Sequence, residues 1–141
     1  GKVFGFDIQE SALLKTNSLL VQNNLQEKAQ LILACHSKFD HFVPSELKGE
    51  IKTIIFNLGY LPGSNKKIIT QEKTTLVAIE KAYAWLAKGG IISVISYTGH
   101  AGGLRETKSL LNFIEEKKWK LERFSGSESI HSPILQLITK D

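Results

Sequence analysis

WKLERFSGSESIHSPILQLI, Trp119 to Ile138, contains two runs rich in large apolar residues, Trp119 to Phe124 and Ile134 to Ile138, joined by a Ser/Gly-rich turn with no helical stretch between them. Two runs so joined are expected to pair as an antiparallel hairpin. The chain before them has another rhythm. Val3 to Ile8, Ala29 to Ala34, Ile51 to Leu58 and Ile91 to Tyr97 are compact runs of Ile, Leu, Val and Phe, apolar on both faces as buried parallel strands are. Helical spacings lie between them. From Ala12 onward, Leu13, Thr16, Leu19 and Leu20 fall on one face; Leu76, Ile79, Tyr83 and Leu86 do the same in a helix opened by Thr74-Thr75 and closed by Gly89-Gly90. A third helix, Leu104 to Glu116, turns Thr107, Leu110, Leu111 and Ile114 inward.

Strands alternating with helices and ending in an antiparallel hairpin give an α/β fold of the Rossmann-like, class I methyltransferase layout, with a mostly parallel sheet; ordinary dinucleotide-binding domains lack that ending. The 141 residues, 42% of them apolar, suffice for one core. Without an internal repeat or linker, residues 1–141 read as a single domain. The chain starts at Gly1 and contains no Met, so it is expected to be a fragment or a processed product. No apolar stretch nears the roughly 20 residues of a membrane span and no signal segment opens the chain, which points to a soluble, cytoplasmic protein.

Composition narrows the chemistry. The lone Cys35 excludes an internal disulfide framework and a cysteine zinc cage, and reads as a small buried apolar side chain. No histidine and carboxylate set has metal-ligand spacing, so no metal is assigned. A net charge of +4 and a pI near 9.2 lean toward a polyanionic partner. The densest positive spots are Lys66-Lys67 and the Lys117, Lys118, Lys120 cluster; the latter complements a helix C-terminus.

Three segments bear chemistry, each at the carboxyl end of an expected strand. In GFDIQ, Gly5 to Gln9, Asp7 can accept the ribose hydroxyls of a bound nucleoside, or cap the following helix. In FNLGYLPGSNKKIIT, Phe56 to Thr70, an Asn ends a buried strand and a small turn leads to a Tyr, resembling the Asn-Pro-Pro-Tyr signature of amine-methylating enzymes with Leu58-Gly59 in place of the prolines. In-line methylation needs the amine lone pair aimed at the methyl group. Asn57 and the next backbone carbonyl would accept the amine hydrogens, and Tyr60 would offer a stacking face; alternatively Asn57 to Tyr60 form only a turn. In SYTGHAGG, Ser96 to Gly103, glycines permit close approach of a ligand, and His100 would orient substrate or take a proton unless it is merely exposed. His36 follows the second strand in the same way, whereas His41 and His131 carry no signal.

GFDIQ, then FNLGYLPG with TT-x-x-AI (Thr74 to Ile79), then GH-x-GG (Gly99 to Gly103) resemble, in order and spacing, the YtqB-like rRNA methylases, a family that includes the tRNA wobble 5-aminomethyl-2-thiouridine methyltransferase. The resemblance implies S-adenosyl-L-methionine as cofactor, with Asp7, Gln9, His36 and Asn57 on its side of the site. It implies Asn57 and Tyr60 as the catalytic pair, and Leu58, Gly59, Tyr60, Lys66, Lys67 and His100 as substrate contacts. RNA is the implied partner, the tRNA anticodon region ahead of rRNA, with a homodimer as the assembly to test. There are two departures. The family carries Asp-Gly-His after the second strand, where this chain has Ala34-Cys35-His36. Its glycine-rich loop, of the type DATxGxGxDT, and the strand before it have no match here, so the fold is expected to lack its first strand, leaving the strands that end in Asp7 and Asn57 with unpaired inner edges. Two other readings compete. One is a non-catalytic RNA-binding remnant of the same fold; the other is an NAD-dependent oxidoreductase, which explains Asp7 but neither Asn57 to Gly63 nor the final hairpin.

Overall fold

A computed structural model describes residues 1–58, 72–99, 102–126 and 132–141. The chain divides into two compact units, Gly1–Ser45 and Glu46–Asp141.

In the first unit, β1 (Val3–Asp7) and β2 (Ala29–Leu33) pair in parallel, Val3 opposite Ala29 through Asp7 opposite Leu33. A parallel pair needs a crossover, and α1 (Glu10–Gln22) supplies it. Phe6 meets Phe39 edge-on at 6.5 Å and Phe42 at 6.2 Å, packing a 3-10 turn, His36–His41, near β1. Ala12 is the buried residue of α1. Of the four residues expected to face inward, Leu19 is 60% exposed, because two strands offer too little surface to cover a 13-residue helix.

The second unit carries a four-stranded sheet in the order β3-β4-β6-β5, made of β3 (Ile51–Asn57), β4 (Leu86–Ser96), β5 (Lys120–Ser125) and β6 (Ile134–Thr139). β3 and β4 are parallel; β6 runs antiparallel to both β4 and β5, so the terminal hairpin inserts as expected. Two helices, α2 (Glu72–Trp85) and α3 (Gly103–Glu116), link the strands. Ile92, Val94 and Ile138 lie in a core with Ala78, Ile79, Ala82, Leu110 and Ile114, all at most 1% exposed. Each large aliphatic buried there contributes about 1.5–3 kcal/mol. Among the described residues β1 pairs with β2 alone and β3 with β4 alone, so one edge of each carries no ladder.

One expected boundary moves. The helix before β4 ends at Trp85, and Leu86 already pairs with Ile51. Gly89-Gly90 therefore does not close the helix; it lies in an irregularity where the register jumps from Ile51–Leu86 to Thr53–Ile91. Gly89 has φ +72°, and a Cβ on Gly90 would stand 2.9 Å from the Ala87 carbonyl oxygen and 3.1 Å from that of Ile51. Gly89 thus serves a left-handed backbone and Gly90 a close backbone approach, rather than helix termination.

Candidate active site

Asp7 is the last residue of β1, and its Oδ1 accepts the Gln9 N–H at 2.8 Å. This Asx turn displaces the capping role: Gln9 is the N-cap of α1 and makes no side-chain cap bond. The turn aims the carboxylate and leaves its second oxygen without a protein partner among the described residues. Ala34 N–H donates to the Asp7 carbonyl at 3.0 Å, and His36, half-buried, opens the 3-10 turn two residues later. The first unit thus brings Asp7, Gln9 and His36 to one edge, the carboxyl end of its two parallel strands.

The second unit does the same for its strands. Asn57 ends β3 opposite Ile95, exposed, and its carboxamide takes no protein hydrogen bond among the described residues. Leu58 is 3% exposed, and its N–H donates to the Ile95 carbonyl at 2.9 Å. Its side chain is therefore occupied in packing, leaving its carbonyl as the group able to meet a substrate. Ser96 ends the neighbouring β4; its hydroxyl lies 3.4 Å from Gln136 Oε1, and the buried Gln136 Nε2 finds no partner among the described residues. Gly59, Tyr60, Lys66, Lys67 and His100 lie outside the described residues.

Sequence reasoning missed Glu106. It reads as one more acid on a charged helix, yet it is 6% exposed and accepts a hydrogen bond from Thr75 Oγ1 at 2.8 Å, with Thr75 fully buried. Its spacing was a usable signal, since Glu106 stands four residues before Leu110 on the inward stripe of α3. Among the described residues no group of three or more His, Cys, Asp or Glu could hold a metal ion, and no helix is long and apolar enough to cross a membrane.

Two parallel strand pairs, each with polar residues at its carboxyl end, the second extended by an inserted antiparallel hairpin, are the elements of a class I methyltransferase fold. The chain belongs to the family described as "Putative rRNA methylase", whose model matches residues 3–140. It is 44% identical over 146 residues to the Arabidopsis thaliana protein named "tRNA (mnm(5)s(2)U34)-methyltransferase, chloroplastic", a match covering 99% of this chain and 53% of the relative. The chain thus spans about half the length of that relative. Among solved structures it resembles a Clostridium thermocellum protein described as a "putative rRNA-methylase", at 33% identity and TM-score 0.85, covering 99% of this chain and 75% of the other. It also resembles a Streptococcus mutans "putative methyltransferase" solved in complex with SAH, at 36% identity and TM-score 0.85, covering 99% and 76%.

Proposed function

We propose that residues 1–141 form part of a single S-adenosylmethionine-dependent methyltransferase domain that methylates an amine of an RNA nucleotide, the 5-aminomethyl group of wobble 2-thiouridine in tRNA. The observation that carries the reading is Asn57, a hydrogen-bonding side chain at the end of β3 that is exposed and unclaimed among the described residues. The name of the Arabidopsis relative supports the tRNA substrate, and the SAH complex of the Streptococcus mutans protein supports the cofactor.

The residues present fit the ribose part of the cofactor. Asp7 offers a carboxylate oriented by the Gln9 N–H with one oxygen to spare, the acceptor a ribose diol requires. The adenine side is poorer: Ala34 has no side-chain acceptor and its N–H is already given to Asp7, so contacts there fall to His36 and to backbone. When bound, S-adenosylmethionine supplies an electrophilic methyl group on a sulfonium. The chain's own task is orientation. Asn57 Oδ1 and the Leu58 carbonyl accept the two hydrogens of a neutral amine, leaving its lone pair directed at the methyl carbon. Tyr60 stacks on the base, and Lys66, Lys67 and His100 meet the nucleotide and its phosphates.

The deciding assay incubates the full-length protein and S-adenosylmethionine with total RNA from cells lacking the enzyme, and follows the nucleosides by mass spectrometry. Gain of one methyl on the 5-aminomethyl group of 2-thiouridine is the expected result. Methylation of an rRNA base moves the substrate, and RNA binding without transfer favours the remnant. Fractionation of tagged protein tests the cytoplasmic placement against a plastid one, the compartment in the plant relative's name.

A further inference from the structure

Glu106 is the only buried residue with a formal charge among those described. Burying a carboxylate is costly unless it is held by donors. Thr75 Oγ1 donates to its Oε1 at 2.8 Å across 31 residues of sequence. Glu106 lies in the first turn of α3 and Thr75 in that of α2, where helix dipoles favour negative charge. Packing alone does not call for an acid here, since α2 and α3 already bury Ala78, Ile79, Leu110 and Ile114, and an apolar pair of similar volume is often as stable as a buried charge.

Its place in the chain gives the acid a purpose. The chain runs into α2 from residues 58–71, which begin just after Asn57, and into α3 from residues 97–102. Where these two connections leave the sheet they are tied by Leu58 N–H to the Ile95 carbonyl at 2.9 Å. Where they enter the helices they are tied by Thr75 and Glu106. We propose that Glu106, acting through Thr75, is a positioning residue of the methyl-transfer site: the buried bond fixes the first turns of α2 and α3 against each other, the two helices that follow the strand ends at Asn57 and Ser96 in the chain. The proposal rests on the methyltransferase reading above.

The test uses the full-length protein and four variants: Thr75→Val and Glu106→Ala remove the bond, Thr75→Ser and Glu106→Gln keep a donor and an acceptor. Turnover, KM for RNA, cofactor affinity, thermal unfolding and amide exchange of the free protein are measured. Thr75→Val and Glu106→Ala are expected to lower kcat by about a hundredfold, the scale of an ångström's misplacement, with cofactor affinity within a few-fold. Thr75→Ser and Glu106→Gln are expected to recover most of the rate. Exchange in Thr75→Val should quicken in the first turns of α2 and α3 together. If Glu106→Ala does not fold, Thr75→Val alone decides. Normal turnover in Thr75→Val, or faster exchange confined to its own helix, overturns the proposal. Wild-type protein that transfers no methyl group to RNA overturns the functional reading instead, and the exchange experiment, which needs no substrate, still decides whether the tie exists.

Discussion

Asn57 and Asp7 share a situation, each ending a parallel strand with a polar group that the described residues do not fully use. For Asn57→Ala we expect turnover to fall on the order of a hundredfold or more, as when a positioning hydrogen-bond partner is removed, with cofactor affinity within a few-fold of normal. Steady-state kinetics beside calorimetry separate the two effects, and unchanged kinetics remove Asn57 from the site. Asp7→Ala should act the other way round, weakening cofactor binding by about 1–3 kcal/mol because ribose hydroxyls lose their acceptor; wild-type affinity in calorimetry would refute the role. Both residues were legible in the sequence because an apolar run followed by a polar residue marks a strand end without knowledge of any partner. Glu106 was not. Its spacing puts it on the inward stripe of α3, but its chemistry depends on Thr75, 31 residues away, and no local signal names that partner.

At the scale of elements, the junction of α2 with β4 is the place where local reading went astray. Two adjacent glycines after an apolar helical face look like a helix terminator, but here they allow β4 to cross a register jump beside β3. Gly90→Ala places a methyl against two backbone oxygens, at 2.9 and 3.1 Å, neither of which can rotate away. We expect a loss of about 1–3 kcal/mol, typical of overpacking, seen as a lowered denaturation midpoint with an unchanged m-value. A midpoint equal to wild type would mean that the strand gives way without cost. The other end of the same layer is fixed by aromatic packing: Tyr83 of α2 stacks on Trp119 at 3.9 Å and 5°, and Phe113 of α3 meets the same indole edge-on at 5.6 Å. Lys117 pairs with Glu80 beside this cluster. This lysine, read from sequence as a complement to a helix C-terminus, also bridges to the neighbouring helix.

For the molecule as a whole, much apolar surface stays in water. Ile55 is 69% exposed, Phe124 51% and Ile91 36%; their strand register places all three on the sheet face opposite the α2–α3 core. β1 and β3 each keep an edge without a ladder among the described residues. Such edges and patches recruit other chains. The 141-residue chain taken alone is therefore expected to self-associate, its sedimentation mass rising with concentration; a monomer across the whole range, with one cooperative unfolding transition, would contradict this. By itself the sequence determined the order of strands and helices, the inserted terminal hairpin, and the strand-end residues Asp7 and Asn57. These follow from period and punctuation, which neighbouring residues encode. Only the tertiary structure decided that Leu58 turns into the core, that Gly89-Gly90 belongs to a strand, and that Thr75 and Glu106 meet. Those outcomes depend on which surfaces compete for the same space, and that competition is settled between residues far apart in the chain.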